Sequence, residues 1–268
     1  MNQNKHSLSR YIDSASKQAV RQHCGFGCVI CGCAIVIYHH FDPEFRDATS
    51  HDPKGITLLC GQCHQRVHAG IIPSEAVKEA NNAPHCRRSG HTKDFLFMGV
   101  SVVPVRLGSS RIRAESILKY DDEVIMGFSP PECGGAPIRL HADLTDDEGG
   151  PILSIVDNEW RVGADNYDVF TKGKVLTVKN KDAEDILKME LVGQTEIQIK
   201  KLQMNFRGFH IEADETWFSI RYQQGGTFRH SGEVIGDIGI WMQSDGGALI
   251  AANKSGGAAV QLAGTKKE

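Results

Sequence analysis

Two C-x-x-C pairs, Cys28-Val29-Ile30-Cys31 and Cys60-Gly61-Gln62-Cys63, constrain this chain more than any other feature. Residues 1–10 are polar and lack the apolar core of a signal peptide, and no apolar run of about 18 residues occurs. The expectation is a cytoplasmic protein with no membrane association. In that compartment clustered cysteines are more often metal ligands than disulfides. Each pair puts two sulfurs on one side of a tight turn. Two pairs therefore close a tetrahedral zinc shell with no open position, which makes the site structural. The alternatives are four unrelated thiols or a redox C-x-x-C. The 28 residues between the pairs exceed what a minimal zinc ribbon needs, so something is inserted there. Cys24 and Cys33 flank the first pair and either could be an alternative ligand; they are read as small buried apolar residues. Cys86 and Cys133 have no partner pattern.

Charge is distributed unevenly. Residues 1–94 hold 11 Lys/Arg and 8 Asp/Glu, and nine of the 12 histidines. The remaining 174 residues hold 19 Lys/Arg and 25 Asp/Glu, so a net charge of −3 hides a basic first third and an acidic remainder. A metal site or an anionic partner is therefore sought in the first third.

Inside the insertion lies Ile35-Val36-Ile37-Tyr38-His39-His40. Residues 35–38 are strand-like by their β-branched and aromatic content. Neighbouring histidines on a regular strand point to opposite faces, so both can serve one site only where the strand twists or ends. After the second pair, His64 and His68 stand four residues apart and share one face of a helix. Gly70 is a natural stop for that helix. Such a spacing is an economical way to offer two nitrogen ligands to one metal; a solvated polar face is the plainer alternative.

A strand ending in His-His, a hairpin, and a short helix with His-x-x-x-His resemble the ββα-metal core of HNH endonucleases. The flanking cysteine pairs resemble the zinc-stapled branch of that superfamily. The strings at 20–32 and 55–60 are similar to bacterial HNH proteins that carry an extra β-rich C-terminal domain. By this resemblance, which is specific over residues 10–85, His39, His64 and His68 hold a catalytic divalent metal and His40 is the general base. The implied activity is metal-dependent hydrolysis of phosphodiester bonds in DNA. A role in defence against foreign DNA follows only by analogy of architecture. One departure stands out: the family's central Asn, which orients the base, falls on Gly55, which has no side chain. Either His51, Asp52 or a backbone carbonyl substitutes, or catalysis is weakened.

The chemistry fits these residue types. An imidazole takes a proton from water near neutral pH. Three imidazoles favour Zn²⁺, Ni²⁺, Co²⁺ or Mn²⁺, whereas Mg²⁺ prefers oxygen, which Asp42 or Asp52 could add. Arg10, Lys17, Arg21 and Arg66 are candidates for contacts to DNA phosphates. Lys17 and Arg21 share one face of a helix expected over 14–23, and a solvated face is an equal alternative for each. The modest positive charge predicts weak, salt-sensitive and largely sequence-independent DNA binding.

The expected architecture is α+β: a ββα-metal domain over 1–85 with a structural zinc site, a polar linker over 86–94, and an all-β domain over 95–268. A short helix capped by Ser74 is expected near 73–80. Beyond Phe95, apolar runs recur every 8–12 residues between Gly, Asp and Asn, the pattern of a sandwich, meander or roll. The β domain would regulate the nuclease, bind a protein partner or self-associate. Its Gly-rich C-terminal segment reads as further short strands or a tail. The competing reading is a zinc-stapled DNA- or protein-binding module whose nuclease activity has lapsed with the central Asn.

Overall fold

A computed structural model of the chain describes residues 3–222, 225–252 and 260–262. It is β-rich, with 46% strand against 15% helix, so the few helices can be treated one by one. The chain divides into two compact units. The first comprises Met1–Asp94, Arg161–Thr171 and Lys179–Ala183; the second comprises Phe95–Trp160, Lys172–Val178 and Glu184–Glu268.

The first unit opens with helix α1 (Ser14–Cys24), started by Asp13, whose side chain accepts from the Ser16 amide. Gly25 stops it in the left-handed conformation at φ 70°, where the Phe26 amide donates back to the Arg21 carbonyl. Strands β1 (Val36–His40) and β2 (Ile56–Cys60) pair antiparallel, with Val36 opposite Cys60 and His40 opposite Ile56. All five β2 residues are buried, because α1 packs against this strand. Helix α2 (Gly61–His68) follows β2 without a loop and packs against both strands. The core joins Val20 and Cys24 of α1 to Val29, Ile56, Leu58 and Leu59.

Helix α3 (Ser74–Asn82) forms where a helix was expected, but its N-cap is Pro73. The Ser74 hydroxyl turns to the Glu75 carboxylate instead of capping. Residues 86–94, expected as a linker, instead carry most of helix α4 (His85–Ser89) and strand β3 (His91–Phe95). Their inward anchors are Cys86 and Thr92, both fully buried, and Thr92 donates to the Gly32 carbonyl. Two such anchors in nine residues leave no periodicity to read.

The second unit is built from strands. Residues 116–120, 123–129, 139–145 and 151–156 are consecutive antiparallel neighbours. So are 185–192, 196–206, 209–213, 218–222 and 225–230 in the other sheet. Both runs are meanders, and the period-2 burial along Glu196–Phe206 puts Ile197, Ile199, Leu202 and Met204 inside. Between strand β3, which ends at Phe95, and the strand at 105–107, residues 96–104 form no strand. The Gly-rich segment continues the pattern: residues 238–242 pair with 248–252, which pair with 260–262. Residues 253–259 and 263–268 lie outside those described.

Candidate metal centres

The two C-x-x-C pairs come together in the first unit. After α1 the chain turns tightly: the Cys28 amide donates to the Cys33 carbonyl and the Gly32 amide to the Cys28 carbonyl, both at 2.8 Å. Gly32 sits at φ 78°, where an added Cβ would meet the His85 ring at 2.6 Å, so only glycine fits. The second pair straddles the β2–α2 junction. Cys60 ends the strand and caps the helix, its sulfur accepting from the Cys63 amide at 3.4 Å.

All four sulfurs lie within 4.8 Å of one another, with Cys31–Cys60 at 3.6 Å and Cys31–Cys63 at 3.9 Å. A tetrahedron with metal–sulfur bonds of about 2.3 Å has edges of ~3.8 Å. The spacing fits a structural zinc ion. Electrostatics agree. A hydrogen bond from Cys31 pulls the Cys28 thiol down to about 5, while Cys31 is pushed up by that same bond and burial lifts Cys63 to about 12. Four sulfurs this close cannot all ionise without a cation between them. Cys24 and Cys33 stand apart. Cys24 is buried beside the Thr57 hydroxyl and pushed up to about 11 by burial. Cys33 is only half-buried and donates to Asp94 at 3.2 Å.

The histidines form the second cluster. His39 lies on β1 opposite Thr57, and His64 and His68 lie one turn apart on α2. Their nearest nitrogens are all within 4.8 Å, and the Nε2 atoms of His64 and His68 are 3.3 Å apart. Two nitrogens bound at about 2.0–2.1 Å in tetrahedral geometry are ~3.3 Å apart, so this cluster also fits a metal ion. The rings meet edge to face: 89° between His39 and His64, 84° between His39 and His68. Burial, then His64 and His68, pushes His39 down to about 4, and burial lowers His64 as well. Both shifts favour the uncharged imidazole, the form that binds a metal.

His40, the last residue of β1, does not join that group. Its ring meets Phe45 edge-on with centroids 5.3 Å apart, and its Nε2 lies 3.0 Å from His51 Nδ1. His51 Nε2 is in turn 2.9 Å from the Ser9 carbonyl. Burial first, then His51 and Arg10, pushes His40 down to about 4. Gly55 is buried immediately before β2, and its carbonyl accepts from the amides of Phe41 and Asp42. A Cβ at Gly55 would lie 2.2 Å from the Asp42 carbonyl oxygen. Position 55 therefore has no room for the Asn that the family resemblance led us to look for.

His39, His40, His64 and His68 line one cleft of about 530 Å³, together with Arg10 and Arg46. The basic residues divide. Arg10 is exposed and lies over the Phe45 ring at 4.6 Å, and Lys17 lies over Tyr11 at 5.3 Å. Arg66 is exposed on α2 but is not among the cleft residues. Arg21 is the correction to the phosphate-contact set. Its guanidinium makes a two-pronged ion pair with Asp168, at 2.7 and 2.6 Å, and donates to the Tyr38 hydroxyl. With side-chain exposures of 13% and 4%, that pair neutralises its charge inside the unit. Arg46, which lines the cleft, was missed because nothing in a lone arginine on a polar loop distinguishes it.

No family model, curated protein or solved structure matches this chain. No helix among the described residues is long and apolar enough to cross a membrane.

Proposed function

We propose that the first unit is a metal-dependent endonuclease of the HNH type, its β1–β2–α2 segment serving as a ββα-metal core that hydrolyses phosphodiester bonds in DNA. The observation that carries this reading is the pairing of two kinds of histidine at the end of one strand. His39 faces His64 and His68 in a ligand-like cluster, while the adjacent His40 lines the same cleft outside that cluster. A purely structural metal site has no use for the fourth imidazole.

In this reading His39, His64 and His68 hold the catalytic ion, and the four cysteines hold the structural one. When bound, a divalent ion in the histidine cluster stabilises negative charge on the phosphate and the leaving oxygen. Burial, His51 and Arg10 favour the uncharged form of His40, the form that accepts the proton of the attacking water. Arg10 lines the cleft and binds a flanking phosphate, whereas Arg46, also on the cleft, is paired with Glu44 and Asp47 at 3.2 and 3.1 Å. The Arg10 guanidinium lies 4.6 Å over the Phe45 ring, a cation–π contact that places its charge at the cleft.

The test is plasmid cleavage with Mn²⁺, Ni²⁺, Zn²⁺, Mg²⁺ or EDTA. Cleavage is expected with at least one ion and not with EDTA. His40→Ala should retain the metal and lose roughly 10²–10⁴-fold in rate, the usual contribution of a general base. Wild-type cleavage by His40→Ala at matched metal would sink the mechanism and favour a binding module.

A further inference from the structure

We propose that His51 is the positioning residue for His40, taking over the task that glycine at position 55 cannot perform. This rests on the reading of His40 as the base.

With both rings uncharged, the hydrogen-bond chain allows one arrangement of protons. The Ser9 carbonyl can only accept, so His51 must carry its proton on Nε2. In the uncharged ring the lone pair of His51 then sits on Nδ1, which can only accept. His40 must therefore place its own proton on Nε2, the nitrogen 3.0 Å away. The second nitrogen of His40, Nδ1, is left with the lone pair that a base requires. One backbone carbonyl thus sets the tautomer of two rings in series and fixes which His40 nitrogen can take a proton. A similar use of a second partner to fix imidazole tautomer and orientation recurs around histidines in metal and catalytic sites.

Packing supports the assignment. The Phe45 ring runs nearly parallel to His51, at 12°, and meets His40 edge-on. The acceptor carbonyl is itself anchored. Asn4 donates through Nδ2 to the carbonyls of Phe45 and Ala48, and Lys5 pairs with Asp47. These bonds tie the segment that carries Ser9 to the loop that carries His51. The steric exclusion of any side chain at Gly55 removes the competing route.

Two measurements test this, one of them independent of nuclease activity. In zinc-loaded full-length protein, long-range ¹H–¹⁵N NMR should show the Nε2–H tautomer for both His40 and His51. In His51→Ala the His40 signal should become a tautomer mixture. A protonated Nδ1 on His40 in the wild type overturns the inference, whether or not the protein cuts DNA. In cleavage assays His51→Ala should lower kcat by about 10–100-fold, as loss of an outer-shell partner does. KM and Co²⁺ affinity at the histidine cluster should stay within about twofold. His51→Asn, whose Oδ1 takes the place of Nδ1 as acceptor, should recover most of the rate. The double variant His40→Ala/His51→Ala should be no slower than His40→Ala, because His51 works only through His40. Full additivity, a loss confined to KM or metal affinity, or wild-type kcat in His51→Ala would each overturn the proposal. Absence of cleavage by the wild type with every ion would instead sink the nuclease reading and leave the tautomer result to decide the role of His51.

Discussion

At the scale of single residues, three positions carry more than their chemistry advertises. Cys60 is both a sulfur of the tetrahedral cluster and the cap of α2. Cys60→Ser keeps a capping oxygen but removes a thiolate, so it separates the two roles. Metal content should fall from about one tightly held zinc per chain, and the melting temperature and soluble yield should fall with it, because metal binding of this kind is coupled to folding. An unchanged melt with full zinc content would show that Cys60 is no ligand. Gly55 is determined by its neighbours: Gly55→Asn drives a side chain into the Asp42 carbonyl, and overpacking of this kind costs about 1–3 kcal/mol. Chemical denaturation should register that loss, with no gain in any cleavage activity. His40 is pushed from an ordinary 6.5 down to about 4 by burial, His51 and Arg10. The unfolded chain therefore binds this proton near pH 6.5 and the folded one near 4. The stabilising contribution is complete above about 6.5 and is lost as pH falls toward 4. An NMR titration of the His40 ring should have its midpoint near 4; a midpoint above 6 contradicts the burial argument.

At the scale of elements, α2 carries residues of both candidate centres. Its first turn supplies Cys63, and its first and last turns supply His64 and His68. With only eight residues, the helix is too short to be stable alone in water and depends on what holds its ends. A metal on the cysteines pins the N-terminal end and thereby sets where the two imidazoles stand. Removing the structural metal should weaken Co²⁺ binding at the histidines by at least tenfold, although no histidine changes. Direct titration of protein with intact and alkylated cysteines measures this, and equal affinities would show that the hairpin alone places α2.

At the scale of the whole molecule, the first unit draws on residues far along the chain. Asp168 comes 147 positions after Arg21 yet pairs with it almost out of contact with solvent. Breaking a buried pair by deleting one partner leaves an uncompensated charge, at a cost of about 3–5 kcal/mol. A fragment of residues 1–94 should therefore be markedly less stable than the same unit in the full chain, and Asp168→Ala should reproduce much of the loss. Urea unfolding followed at the first unit tests both; a fragment as stable as the intact unit would show that Arg21 finds another partner.

What could be read from the sequence alone was whatever local spacing dictates. Helix α1, the strand ending in His39 and His40, the i, i+4 face of His64 and His68, and the two turns bearing cysteine pairs all depend on a few adjacent residues. The β-strands of the second unit were legible for the same reason, through period-2 alternation between turn residues. Tertiary structure decided the rest, because partners separated by tens of residues leave no periodic mark. The C-x-x-C spacing had already singled out four of the six clustered cysteines, and folding brought those four together. Folding set the Ser9 carbonyl against His51 and His51 against His40, contacts across 42 and 11 residues. It withdrew Arg21 from solvent to Asp168, and it closed position 55 to any side chain by bringing the Asp42 carbonyl against it. Residue type says what a side chain can do; only packing determines which partner it meets and whether its charge remains available.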